Sequence, residues 1–302
     1  MMEHRDFKGH GENPPFADWP GGARIAVSFV LNVEEGSERT VSRGDAANEP
    51  VYDMIESIDD TVNLTMESHF DYGTRAGYWR VARVLEKYGV TCTANICAEA
   101  VEISPWWGED LVRRGFEVSS HGYRWESPLR MSEAEERAWI ARSVAAIEKV
   151  CGERPVGWHC RCPHTANTRR LLMEEGGFLY DSDAYDDDLP YLVGRHVVIP
   201  YSLDTNDMRM QRPEVGFVRA KDFADYVIDA FDWLWEEGAT APKMMTIGLH
   251  PRVIGRPGRI VGLDAVLRHM TGKGAVWFAR RREIAEHWLD VHGGSTSESR
   301  RK

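Results

Sequence analysis

The chain has no run of the roughly 20 apolar residues that a membrane-spanning helix needs. Its opening, MMEHRDFKGHGENPPFADWPGG, lacks the apolar core of a secretory signal. No membrane partner is expected, and the expected location is the cytoplasm. Basic blocks are missing outside the C-terminal tail. The 37 Lys and Arg stand against 48 Asp and Glu, a net charge of -11, which argues against nucleic acid as a partner. Cysteine is scarce and odd in number: Cys92, Cys97, Cys151, Cys160 and Cys162. Without an export signal these read as reduced thiols, not as a disulfide framework. There is no internal repeat. A further absence is local. His121 opens the stretch HGYRW, and the histidine that would complete a His-x-x-x-His metal motif is replaced by Trp125.

What is present is a 302-residue chain, 42% hydrophobic, enough for one large α/β domain with a sizeable core. Residues 1–22, with Pro14, Pro15 and Pro20, read as an N-terminal arm. ARIAVSFVLNVEEG is a continuous apolar run of buried-strand type ending in two carboxylates. Residues 37–75 read as loop. GYWRVARVLEKYG reads as a helix stopped at Gly89, and VTCTANICA and GFEVSSHGY as strands. Ser132 and Glu135 form a capping box for a helix running through Val150, with Ile140, Val144 and Ile147 on one face. PVGWHCRCP, FLYDSDAY, HVVIPYSL, MMTIGLHPR and AVWFARR read as strands. TRRLLMEEGG, FADYVIDAFDWLWEEG and LDAVLRHMTGKG read as helices. The alternation continues without a linker, which predicts a parallel sheet closed or nearly closed as a barrel, in one domain over residues 23–292. Residues 293–302 are polar and read as a disordered tail.

Polar residues cluster just after successive strands. They are Asn32, Glu34 and Glu35 after the first, His121 after GFEVSS, Arg161 and His164 after PVGW, Asp181 and Asp183 after FLY, and His250 and Arg252 after MMTIGL. In a parallel barrel these strand ends open on one face, where active sites lie. Taken singly, each could be a cap, a salt bridge or a surface charge. Taken together, they predict an active site in which Glu34, His121, Arg161, Asp183 and His250 converge.

The order strand-carboxylate, His-Gly-Tyr, Arg-x-Pro, Asp-x-Asp, Leu-His resembles the polysaccharide deacetylase superfamily, whose fold is a distorted (β/α) barrel. The resemblance is closest to the branch of cofactor-independent bacterial allantoinases. The stretches that carry it are WPGGARIAVSFVLNVEEGSE, GDAANE, MESHFDYGTRAGYWR, HGYRW, NTRRLLMEEGGFLYDSDAYDDDLPY, YSLDTNDMR, PKMMTIGLH, IGRPGRI and VWFARRREIAEHW. The resemblance implies hydrolysis of a cyclic amide C–N bond, in a ureide, hydantoin or cyclic imide. It also implies a homo-oligomer, with a tetramer expected, and a tryptophan at the second metal-ligand place, here Trp125. In deacetylases of the superfamily, two strand-end carboxylates and two histidines provide the base and the metal ligands. Here Asn32 and Glu34 stand at the carboxylate places. The stretch GWHCRCPHTANTRR, and LHPR where the branch has LHCR, point towards related imidases that open cyclic imides.

On these grounds Glu34, Glu35, His121, Arg161 and His250 are the expected catalytic residues. Asn32, Trp125, Trp158, Cys160, His164 and Asp183 are expected to line the substrate. Amide hydrolysis needs a base for water, donors for the oxyanion and an acid for the leaving nitrogen. A pair of close carboxylates beside an apolar wall at Trp125 would raise one pKa and tune a base. Hydrolysis without a required metal is expected, although Glu34 and His121 could hold a divalent ion weakly. Other readings stay open at this point. Glu34 and Glu35 could pair with Arg24, Arg75 or Arg124. Cys160 or Cys162 could be a nucleophile beside His159 or His164, or the four could bind zinc. The chain could also be a metal-dependent carbohydrate N-deacetylase with altered ligands, or a non-catalytic binding protein on the same fold.

Overall fold

The computed structural model describes residues 6–51, 58–211 and 216–294. The strands are β1 (Ile25–Val33), β2 (Thr93–Ile96), β3 (Glu117–Ser120), β4 (Gly157–Trp158), β5 (Tyr180–Asp181), β6 (Tyr191–Val193), β7 (His196–Val198), β8 (Lys243–Leu249) and β9 (Val276–Phe278). The helices are α1 (Leu64–Tyr72), α2 (Tyr78–Lys87), α3 (Ala98–Ile103), α4 (Trp106–Arg113), α5 (Glu133–Cys151), α6 (Thr168–Glu175), α7 (Ala220–Glu237), α8 (Pro251–Ile254), α9 (Pro257–Thr271) and α10 (Arg281–His292).

The sheet runs β6-β7-β5-β4-β3-β2-β1-β8, with β9 joining the first residues of β1. Every pairing is parallel except the β6–β7 hairpin. The chain after β7 returns to bridge β8, Asn206 opposite Gly248, so the sheet curls towards closure. This is the single α/β domain with a distorted barrel that the sequence predicts. All nine residues of β1 are buried. Its continuous apolar run suits a central parallel strand covered on both faces.

Two expectations change in detail. Residues 64–75 are helical, not loop. Asn63 caps α1 by accepting from the Met66 N–H at 3.0 Å, and only Met66 and Phe70 of α1 are buried. So sparse an apolar stripe gives a weak periodic signal. A π-helical turn at Gly73–Gly77 joins α1 to α2. Several strands are also shorter than read, with β4 and β5 reduced to two residues each. The capping box of α5 forms as expected, and Gly152 ends the helix in the left-handed region.

Within the described part of the N-terminal arm, Trp19 is buried, packs at a tilt against Trp277 and Trp288, and donates Nε1–H to the Lys243 carbonyl at 2.8 Å. The expected C-terminal tail lies outside the described residues beyond Gly294. All five cysteines are free thiols, and only Cys162 is exposed. Among the described residues no helix is long and apolar enough to cross a membrane.

Candidate active site

The C-terminal ends of the parallel strands bring their next residues to one place. Asn32 is the penultimate residue of β1, and Glu34 follows the strand. His121 follows β3, His159 follows β4, and His250 follows β8. They line a cavity of about 540 Å³ together with Trp125, Tyr201 and Arg161. Gly122 makes the turn behind His121 at a φ of +81°, and a Cβ there would lie 2.2 Å from the Trp139 ring.

Glu34 is the hub. Its Oε1 faces His121 Nε2 at 3.4 Å and His250 Nε2 at 3.3 Å. Its Oε2 accepts from the Arg252 guanidinium at 2.6 Å. Burial alone would raise the Glu34 pKa. The charges of Arg252 and His250, with hydrogen bonds from His121 and His250, outweigh that and hold it well below the usual carboxylate range.

The two histidines are held differently. His121 Nδ1 meets the backbone carbonyl of His159. A carbonyl only accepts, so Nδ1 carries a proton, and Nε2 is turned towards the Glu34 carboxylate. His250 Nδ1 meets Asp207 Oδ1 at 2.6 Å, and Asp207 Oδ2 accepts from the His250 and Ile254 backbone N–H groups at 2.8 and 3.1 Å. Burial disfavours a charged His250, but Glu34 and Asp207 overcome this and raise its pKa to about 9. At neutral pH His250 is therefore an imidazolium whose Nε2–H faces Glu34.

The remaining expected residues fall around this centre. Asn32 donates to the Tyr201 hydroxyl at 3.0 Å, and Tyr201 stacks on His159 at 4.4 Å. Asp183 stands one layer back, accepting from His159 Nδ1 and the Cys160 N–H at 3.0 and 3.1 Å. Cys160 reaches the cavity, but burial, then Asp183, pushes its thiol well above the ordinary value, against a thiolate nucleophile. Arg161 sits at the rim, bidentate to Glu49 at 2.9 and 2.6 Å, with its guanidinium 3.9 Å from the Trp125 ring centre. Glu35 turns away from the cavity. Its carboxylate packs against Gly73 in the π-helical turn, where a Cβ would lie 2.2 Å from Oε1. Burial, then Arg252 and Glu34 acting in opposite directions, leaves its pKa raised. Trp158 is wholly buried behind the cavity against Trp139 and Phe178. His164 is exposed and does not line the cavity.

Glu34 and Glu35 pair with Arg252 and not with Arg24 or Arg124. Arg24 lies over Trp235, and Arg124 binds Asp45 and Glu99. Three functional groups lacked a role in the sequence reading. Asp207 opens a 3₁₀ turn, Asp207–Gln211, nine residues after β7 ends in sequence. Tyr201 lies in irregular chain just past the end of β7 at Val198. Arg252 stood beside His250 in the pattern, but its partners lie 218 residues away in sequence.

The residues do not fit a divalent metal. Position 125 offers an indole. His250 Nε2 is a donor, not a lone pair. The Arg252 guanidinium already binds Glu34. Among the described residues, no group of three or more His, Cys, Asp and Glu is arranged to hold a metal ion.

Comparisons with known proteins agree with this architecture. The polysaccharide deacetylase family model matches residues 59–178. A Schizosaccharomyces pombe protein carrying a provisional polysaccharide deacetylase name is 36% identical, over 97% of this chain and 99% of its own. The crystal structure of a Pseudomonas aeruginosa PAO1 protein, also provisionally named a polysaccharide deacetylase, is 47% identical with a TM-score of 0.91, covering 95% of this chain and 98% of its own. The crystal structure of Puue allantoinase is 45% identical with a TM-score of 0.91, covering 97% of this chain and 99% of its own.

Proposed function

This chain belongs to the polysaccharide deacetylase family, and from that premise we propose that it is a hydrolase that opens a cyclic amide C–N bond without a required metal. The observation that carries the reading is the arrangement around Glu34. Two imidazoles, that of His250 charged, flank one carboxylate oxygen at 3.4 and 3.3 Å, in a cavity of small-molecule size. The likeness to an allantoinase over nearly the full length supports it.

His121 Nε2 takes a proton from water as the water oxygen bonds to the amide carbon. Glu34, held ionised by Arg252 and His250, then accepts from the protonated Nε2–H of His121. His250 Nε2–H then protonates the ring nitrogen as the C–N bond breaks, giving a carboxylic acid and a free amide or amine. His121 has gained a proton and His250 has lost one. Glu34 Oε1 lies between them and can pass the proton across, which resets the site. Cyclic imides and ureides suit such a site, because a second carbonyl stabilises the leaving nitrogen. In this reading the Tyr201 hydroxyl and the Arg161 rim donate to carbonyl oxygens of the ring, with Asn32 orienting Tyr201.

The test is a substrate panel of allantoin, hydantoin, succinimide, glutarimide and acetylated chito-oligomers. Ring opening of at least one heterocycle, with no acetate released from the oligomers, is expected. Acetate release without ring opening would establish the carbohydrate N-deacetylase reading instead.

A further inference from the structure

We propose that the guanidinium of Arg252 is the resident cation paired with Glu34, so that a carboxylate already engaged, and not only the missing donor at residue 125, keeps metal out.

Arg252 is 1% exposed, which is unusual for arginine unless its charge is paired, and here one terminal nitrogen is hydrogen-bonded while the other has only the ion-pair contact to Glu35. Its partners surround it. Glu34 Oε2 is 2.6 Å from one terminal nitrogen, and Glu35 Oε1 is 3.6 Å from the other. The ring centres of Phe70 and Trp125 lie 4.5 and 5.0 Å from its Cζ. Two adjacent buried carboxylates need a positive charge between them, and π-faces favour a cation against them. Both demands converge on one point, and a guanidinium meets them as a fixed part of the chain. Arg252 does not line the cavity. It is thus a positioning residue, acting on substrate only through Glu34.

The arrangement couples Arg252 to Trp125. Trp125 stacks on the guanidinium and lines the same cavity as Glu34 and His121. Placing a histidine at 125 would bring a third donor towards Glu34 and His121, but the guanidinium would still hold Glu34. Both positions must change before a metal can enter. The inference deepens the metal-free reading proposed above and rests on it for its bearing on catalysis. A metal titration uses no substrate, so its failure and the failure of the substrate panel are separate results.

The experiment is titration of full-length protein with Co²⁺, read by visible absorption, with far-UV circular dichroism on each sample. The proteins are wild type, Trp125→His, Trp125→His with Arg252→Met, and Trp125→His with Arg252→Lys. The Met double variant should bind one Co²⁺ per chain at least 100-fold more tightly than the other three. If it unfolds without metal, Co²⁺ should restore its folded spectrum by supplying the missing charge. The proposal is overturned if Trp125→His alone binds as tightly as the Met double variant, or if the Lys variant does. It is also overturned if the Met variant is folded but binds nothing, or stays unfolded with Co²⁺ present.

Discussion

Replacing Asp207 with asparagine probes the acid side of the proposed reaction. Asp207 is wholly buried and accepts from His250 Nδ1 and two backbone N–H groups. Asparagine keeps the shape, and its carbonyl can serve the backbone donors. Its NH₂ is then turned towards His250 Nδ1, which must accept and so cannot remain protonated there. A hydrogen bond to a charged group contributes about 1.5–3 kcal/mol, or roughly one to two pKa units. His250 should therefore fall from about 9 towards neutrality. The acid form is the working form, so activity should be lost as pH rises through this pKa. The wild-type rate profile should fall on its alkaline side near pH 9, and the variant profile about one to two units lower. Turnover at pH 9 should drop roughly five- to fifty-fold, because the wild type keeps about half of its acid form there and the variant about one-tenth to one-hundredth. Initial rates of ring opening between pH 5 and 10 supply the test. An alkaline limb still near pH 9, with turnover within about threefold of wild type, would refute the assignment, because every effect above exceeds roughly 0.7 kcal/mol.

Glu34→Gln should cost on the order of 10²–10⁴ in kcat, measured on the preferred ring substrate, while Glu35→Gln should cost much less, since Glu35 faces the π-helical turn and not the cavity. Gly77→Ala should destabilise the fold by about 1–3 kcal/mol, read as a lower urea midpoint, because its Cβ would lie 2.0 Å from the Pro251 carbonyl beside His250. His250 also links stability to pH. Its folded pKa of about 9 stands above its ordinary 6.5, so the charged ring contributes about 3 kcal/mol below pH 6.5, and this is lost as pH rises through 9. Urea unfolding at pH 6 and pH 9.5 should show that loss in wild type and a smaller one in Asp207→Asn. Light scattering should give a homo-oligomer mass, with a tetramer expected; a monomer across a wide concentration range would count against it.

The sequence revealed the strand ends more clearly than the contacts behind them. Glu34, His121 and His250 follow long apolar strands, and a parallel sheet carries such residues to one face whatever lies between. That logic also selected Asp183, which follows β5 but faces His159 and not the cavity. Side-chain direction alternates along a strand, and β5 is too short for its register to be read. Asp207 and Tyr201 escaped because both lie in irregular chain after β7, where no periodic pattern marks a residue as inward. Trp125 was legible as a lost ligand. Its role as a wall for the Arg252 guanidinium depends on a contact across 127 positions in sequence that no spacing encodes. The helix at Leu64–Tyr72 was hidden for a different reason. Two buried residues in nine turn too little of its surface inward to betray a helix.

The central claim is that side chains alone supply the base, the acid and the cation of this site. The most direct test is ring opening by enzyme dialysed exhaustively against a strong chelator, with metal content measured on the same sample. The account predicts a rate within about twofold of the untreated enzyme at far less than one metal ion per chain, less than one-third of the tenfold change that ~1.4 kcal/mol would produce. Loss of activity that returns with zinc or manganese would contradict it.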